Sequence, residues 1–375
     1  MKFNVQSKAL GTAVSAVSKV INSKNAMTIL NNFLFEVKNG KLTVIGSDLE
    51  NTLKYSVDIA ECEGECTFCV DARRMVDLMK ELPDVGISFE VSDQFEIRIT
   101  YTGGKYQFVG VTGKDYPDTM PDNSEDKRLS VEIPATVALA GIDNTLFAVG
   151  IEAVRPQMMG ILWDFHYGDI TFVASDTHKL VRFVNSNVEP GIECSFILPS
   201  KPAVILKNIL GKEDKLSVVL TSQNVTFSNG TFVLSSSFIK GEFPAYNKVI
   251  PAANPYTLTV DRLQFLNAVK RMVIFGDQAH KLIKFKIEPT ELTIKTSDPS
   301  FCTQGTEKMP CDFTGEGMVI GFSAQYLTEI FTTLSTENVL VQLADPSRPG
   351  VFTPATNEDK CDLVVLLMPM TVNEF

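Results

Sequence analysis

Six times along the chain an apolar strand ends at Ser, Asp or Pro, and a helical stretch of about three turns and a set of short strands follow. The helical stretches open at Ser7, Asp71, Pro134, Ser200, Asp261 and Ser323. One such module cannot bury its own apolar face, so the repeat demands that copies pack on one another. A repeated scaffold with no repeated reactive group points to a frame rather than a catalyst.

The spacing of apolar residues supports each helix. Leu10, Val14, Val17 and Ile21 share one face, as do Val76, Met79 and Leu82. Leu263, Leu266 and Val269 form another such set, and so do Leu327, Ile330 and Leu334. Ser7, Asp71, Ser200, Asp261 and Ser323 are expected as N-caps, each side-chain oxygen accepting from a free backbone N–H. Gly211 and Pro83 are expected stop signals. Between helices the sequence reads as hairpins. Phe33 to Asp48 is a strand, an Asn-Gly turn and a second strand.

A longer period overlies the sixfold one. Ser-Asp ends a hairpin at Ser47-Asp48, Ser175-Asp176 and Ser297-Asp298, so the aspartates lie 128 and 122 residues apart. Three similar domains follow: 1–128, 129–253 and 254–375, the charged stretch 122–128 marking one boundary and the Pro-rich stretch 250–256 the other. The expected class is α+β, each domain carrying two helices on one face of antiparallel sheets.

Composition narrows the function. The net charge is −11, which argues against a protein coated with basic surface. The six helical windows nevertheless hold 12 of the 34 Lys and Arg but only 6 of the 45 Asp and Glu. They sum to +6 and the remainder to −17. Basic charge is therefore concentrated on helices and acidic charge on strands and loops. No apolar run is long enough to span a bilayer, and the N-terminus alternates like a strand instead of forming a signal-peptide core. The expected location is cytoplasmic.

Reactive constellations are scarce. Cys62, Cys66 and Cys69 lack a fourth ligand and read as reduced thiols on neighbouring strands, so no metal or other cofactor is expected. There is no P-loop, dinucleotide fingerprint or nucleophile elbow, and His166, His178 and His280 are far apart. The strongest catalytic candidate is Ser175-Asp176-Thr177-His178-Lys179, a possible base with its orienting carboxylate. It has no nucleophile or metal beside it, and a recognition loop is the better expectation. Two further segments stand out. Gly241 to Pro251 sets Phe243 and Tyr246 around Pro244, with Asp115 to Pro121 as its counterpart in the first domain. The C-terminal stretch Leu363 to Met370 ends in Met-Pro-Met, where Met offers adaptable binding surface.

Taken in order, the opening Met-Lys-Phe, Ser47 to Glu50, Ser175 to Leu180, Gly241 to Pro251, Met368 to Met370 and the three-domain period resemble the beta sliding clamps of bacterial DNA polymerase III. The resemblance spans essentially the whole chain. It implies a head-to-tail homodimer, a ring of six domains with sheets outside and helices lining the hole. Twelve helices at about 10 Å spacing span ~120 Å, hence roughly 38 Å between axes across the ring and a hole near 28 Å. That clears duplex DNA, which the basic helices would meet at phosphate without reading sequence.

The resemblance also implies residue roles. Lys24 and Lys201 would face DNA, whereas Glu152 stands where a relative carries Gln. A peptide groove would comprise Met158, Thr177, His178, Lys179, Leu180, Pro244, Lys248, Val249, Leu366, Met368, Pro369 and Met370. Through it the replicative polymerase, the clamp loader and repair polymerases would dock. Thr177 stands where the family usually has Gly, and Lys179 and Lys248 replace Arg, which removes bidentate geometry. Thr371 to Phe375 extend beyond the usual end and are expected near the groove mouth. Ring closure would bring Tyr106 and Phe108 against Ile274 and Phe275 of a second copy. The implied function is a non-catalytic processivity factor, nucleoid-associated and with no membrane contact. The alternatives are an enzyme acting at the 175–179 loop, and a monomeric peptide-binding scaffold that does not encircle DNA.

Overall fold

The structure, a computed structural model, describes residues 1–22, 24–25, 27–118, 128–212, 215–372 and 375. The six expected helices are α1 (Ser7–Ser18), α2 (Ala72–Glu81), α3 (Ala135–Thr145), α4 (Ser200–Ile209), α5 (Arg262–Val273) and α6 (Ala324–Thr333). Leu10, Val14 and Val17 of α1 are buried, as are Leu327, Ile330 and Leu334 in and after α6. Two faces differ from the expected register. In α2 the buried side chains are Ala72, Met75 and Met79. In α5, Leu263 is exposed while Phe265, Leu266, Ala268, Val269 and Met272 are buried. In each case a larger or better-placed apolar residue one or two positions away takes the core side.

Capping is more selective than expected. Asp71 and Asp261 accept from the backbone N–H of Arg74 and Gln264, each at 2.7 Å. Ser323 sits at the N-cap of α6 without a side-chain bond. Ser7 and Ser200 are the first residues of their helices rather than caps. The Ser7 hydroxyl instead donates to Pro83 O and accepts from Val85 N, which ties α1 to the exit of α2.

The chain divides into two compact units. One comprises Met1–Thr136 with Lys201–Phe238, the other Val137–Ser200 with Ile239–Phe375. The cut falls inside the central stretch because strand pairing ignores the sequence period. In the first unit, strand Asn51–Asp58 pairs antiparallel with Phe232–Ser237, Leu53 opposite Leu234, fusing two hairpin sets into one nine-stranded sheet. In the second unit, Lys179–Asn185 pairs with Cys361–Leu367 in the same way, Val181 opposite Val365. A five-stranded sheet completes the first unit and a four-stranded sheet the second. The charged stretch at 122–128 lies outside the described residues except for Arg128, and the segment 115–121 is described only as far as Asp118.

Local chemistry sets these hairpins. Asn39 and Gly40, at φ 53° and 73°, form the two-residue turn that places Lys38 opposite Lys41. In the first unit α1 lies so close to strand Lys41–Ser47 that a Cβ on Gly46 would sit 2.6 Å from Val17 Cγ1. In the second, Phe265 of α5 stacks on Phe331 of α6 with centroids 4.2 Å apart.

The repeated Ser-Asp dipeptide is a turn device. Asp48 Oδ1 accepts from the N–H of Glu50 and Asn51, and Asp176 Oδ1 accepts from the N–H of His178 and Lys179. The serines repeat as well: Ser47 and Ser175 hydroxyls donate to Asn51 O and Lys179 O and accept from Leu49 N and Thr177 N. Asp298 makes the equivalent bonds to Ser300 and Phe301 N–H. In the first two turns the third residue has left-handed backbone, φ 78° at Leu49 and 81° at Thr177. A β-branched side chain is strained there, at a cost of about 1–3 kcal/mol. Replacing Thr177 by Gly is therefore expected to raise the urea unfolding midpoint, through a gain of about 1 kcal/mol in unfolding free energy after the added unfolded-state entropy of Gly. An unchanged or lower midpoint would show that Thr177 side-chain contacts offset the strain.

Candidate functional site

A cleft of about 200 Å³ opens on the second unit, over the nine-stranded sheet. Its base follows from strand alternation. Leu162, Val173, Leu180, Val364 and Leu366 form one buried cluster with Ile197 and Val351. Ile239, Phe243, Tyr246 and Ile250 pack on the same cluster, so the 241–251 segment is strapped across the sheet by its aromatics. Phe243 and Tyr246 meet edge to face at 6.5 Å. The turn after Ser175 and the end of the last strand complete the rim. There Met368 N–H donates to His178 O at 2.8 Å.

Nine of the twelve residues expected in a groove line this cleft: Met158, Thr177, His178, Lys179, Leu180, Pro244, Val249, Leu366 and Met368. Met368 and Val249 are 42% and 52% exposed, so apolar surface faces solvent at the rim. Lys248 occupies the adjoining turn, exposed but outside the lining. Pro369 and Met370 leave the cleft. Met370 N–H donates to Gly321 O at 2.8 Å, bridging to the four-stranded sheet. Gly321 is needed there, because a Cβ would lie 2.6 Å from Val372 Cγ2. The ring of Phe375 sits 4.4 Å below Lys295 Nζ. Met370, Val372 and Phe375 thus lie against the four-stranded sheet instead of the expected groove mouth, drawn by an open backbone edge and a cation. Arg155, Ser175, Phe243, Tyr246 and Pro349 also line the cleft. The bracketing aromatics were visible as a pattern in sequence, whereas Arg155 and Pro349 carry no motif.

Lys179 differs most from its expected role. Its ammonium lies 3.0 Å from Asp176 Oδ2 and 2.7 Å from Glu329 Oε2, and 4.3 Å over the Tyr326 ring. The side chain is only 5% exposed, so the charge is held inside the protein rather than offered to a peptide. Two carboxylates and an aromatic face offset the cost of burying it. The His178 ring stacks on Tyr326 at 6.0 Å and stays at the rim with Thr177 and Arg155. The same contacts remove the catalytic alternative. Asp176 is committed to two backbone N–H groups and the Lys179 ammonium, and the Ser175 hydroxyl to its own turn. Neither orients a base nor serves as a nucleophile.

A wider hollow of about 650 Å³ lies in the first unit along α1 and α2, with Lys8, Lys19 and Lys80 on its rim. Val14, Val76, Met79, Leu82 and Ile209 give it an apolar lining beside those ammonium groups. Lys24 is exposed, in the turn after α1. Lys201 departs from expectation: its ammonium donates to Val20 O at 2.5 Å, Asn22 Oδ1 at 2.6 Å and Asp48 Oδ2 at 2.6 Å. Three hydrogens meet three acceptors within the unit, leaving none for a phosphate.

Exposed apolar residues lie on one open sheet edge and beside another. Tyr106, exposed, and Phe108, partly so, lie on Gly104–Val109, the outermost strand of the five-stranded sheet, with exposed Val109 beside them. Ile274 and Phe275, 72% and 44% exposed, follow α5, and the Thr303 hydroxyl of the outermost strand Thr303–Pro310 donates to Phe275 O. All seven cysteines are free thiols, and burial pushes Cys69 up to about 12. Among the described residues no three His, Cys, Asp or Glu side chains gather as metal ligands.

Comparison with known proteins agrees over the full length. The N-terminal, central and C-terminal domain profiles of the DNA polymerase III beta subunit match residues 1–121, 132–245 and 247–371. The beta sliding clamps of Pseudomonas aeruginosa and Treponema pallidum are each 26% identical, the alignments covering 99% of this chain and 100% and 99% of those proteins. Among solved structures, a Pseudomonas aeruginosa sliding clamp bound to griselimycin superposes with TM-score 0.91 at 25% identity over 99% of this chain and 100% of that one. The Thermotoga maritima DNA polymerase III beta subunit superposes with TM-score 0.91 at 23% identity, over 99% of each chain. With all three domain profiles matched in order along one chain, this protein belongs to the DNA polymerase III beta subunit family.

Proposed function

We propose that this chain is a DNA sliding clamp: two copies close head to tail around duplex DNA and hold polymerases there through the cleft of the second unit. The observation that carries this reading is the full-length family match together with two open sheet edges in one chain, each with exposed apolar residues on or beside it. Gly104–Val109 of one copy and Thr303–Pro310 of the next would pair, covering Tyr106, Phe108, Ile274 and Phe275. Six domains bounded at 128/129 and 253/254 would then form the ring. The helices carry the positive balance, so DNA would be held through phosphate, and the acidic remainder would discourage binding elsewhere. The protein supplies position rather than chemistry.

Occupants of the cleft would be short peptide segments of the replicative polymerase, the clamp loader and repair polymerases. Leu180, Val249, Leu366 and Met368 would receive apolar side chains, and His178 would orient the backbone. Action on chromosomal DNA would place the protein in the cytoplasm, at the nucleoid. A monomeric peptide-binding scaffold is the weaker alternative, because it leaves Tyr106, Val109, Ile274 and Phe275 bare.

Retention on DNA tests encirclement. Loaded protein is expected to stay on nicked circular DNA and to be lost on linearisation; equal retention on both would refute topological binding. Ile274→Glu should convert the dimer to monomer in sedimentation, since one charge per interface is desolvated on closure. An unchanged dimer would displace the interface from Ile274. Met368→Glu should weaken binding of a polymerase-derived peptide by at least about tenfold, as expected for loss of a central anchor, while leaving the dimer intact. Unaltered peptide affinity would remove the cleft from the docking function.

A further inference from the structure

We propose that Lys201 is a positioning residue: together with Asp48 it fixes the turn after α1 that presents Lys24 to the DNA backbone. This rests on the proposed function, with Lys24 as the residue that faces DNA and meets its phosphate. The Ser47-to-Glu50 turn has no other part in the function described so far, and its aspartate is where the arrangement begins. Asp48 is nearly buried and its Oδ1 is held by the N–H groups of Glu50 and Asn51 at 3.1 and 2.7 Å. Asn51 is itself held by the Ser236 hydroxyl at 2.8 Å. The carboxylate therefore has one orientation, with Oδ2 turned to the Lys201 ammonium.

The other two ammonium contacts, to Val20 O and Asn22 Oδ1, fall on the segment that leaves α1. The far side of Lys24 is held as well. Asn25 Nδ2 lies 3.1 Å from Asn22 O, 3.2 Å from Leu30 O and 2.9 Å from Asn31 Oδ1. Lys24 is thus exposed between two tethered asparagines. An untethered turn would lose conformational freedom on meeting DNA, and tethering removes that cost beforehand. The Lys201–Asp48 pair contributes no net charge, so the positive charge offered at the turn is that of Lys24.

A direct phosphate contact and a positioning role predict opposite signs for one substitution. Asp48→Asn removes a negative charge and releases the ammonium. If Lys201 touched phosphate, DNA binding would tighten; if Lys201 positions the turn, binding weakens. The experiment is anisotropy of the intact dimer on a short primed duplex across a salt series, with Lys24→Ala, Lys201→Met, Asp48→Asn and the Lys24→Ala/Lys201→Met double variant. Lys24→Ala is expected to lower the salt slope by about 0.9 per chain, one phosphate contact. Lys201→Met should fall to the same level, and the double variant should be no weaker than Lys24→Ala alone.

Tighter binding by Asp48→Asn, or additive losses in the double variant, would overturn the positioning role and leave the Lys24 contact standing. No effect of Lys24→Ala would overturn the phosphate contact itself, and this inference with it. Should Lys201→Met fail to give folded dimer, the sign of the near-isosteric Asp48→Asn decides the matter alone.

Discussion

Antiparallel strand pairing across the repeat is the constraint on which the rest depends. Each module ends in a strand whose backbone N–H and C=O groups need partners, and a module alone leaves one edge open. Within the first unit Asn51–Asp58 meets Phe232–Ser237, and within the second Lys179–Asn185 meets Cys361–Leu367. These pairings make two nine-stranded sheets, and they make compact units that do not follow the sequence period. The cleft is a product of the second joint. Leu180 and Leu366 are directly opposed across it, so its floor exists only once residues nearly two hundred positions apart have paired.

The Ser-Asp turn shows one local device put to different uses. In both of its first two copies the outer aspartate oxygen takes a lysine ammonium: Lys201 at Asp48, Lys179 at Asp176. In the first copy the lysine comes from a helix and ties down a neighbouring turn. In the second it comes from the turn itself, and Glu329 of α6 joins the pair. Both turns keep a left-handed third residue, Leu49 or Thr177, that lifts the next side chain clear of the strand. At the second turn that side chain is His178, on the rim of the cleft.

Much of this was legible from sequence because it is local or periodic. The six helices, the Asn39-Gly40 hairpin and the three Ser-Asp turns follow from spacing and turn chemistry. The cleft was legible in outline because its three contributing segments were each odd in isolation. What escaped was anything set by which way a long side chain folds back. Lys179 and Lys201 read as surface cations, and both are consumed internally by aspartates whose proximity only the tertiary fold creates. The face of α5 was misjudged at Leu263 because Phe265 stacks on Phe331 and takes the core side. The path of the tail depended on Gly321 and Lys295, which no pattern near the C-terminus announces.

A balance of +6 on the helices against −17 elsewhere counts every charge as if it faced solvent. Lys201 on α4 is neutralised by Asp48 in a hairpin turn, and Arg271 on α5 by Glu307 on a strand at 2.6 Å. Each such pair takes one positive charge from the helices and one negative charge from the rest, so the segregation shrinks while its sign holds. The field that remains on the first unit then comes from residues such as Lys8, Lys19, Lys24 and Lys80, on or just beyond α1 and α2. Screening at physiological salt, with a Debye length of about 8 Å, confines that field to DNA passing close to these helices. Diffuse attraction of this kind suits a protein that must hold DNA without stopping on any one sequence.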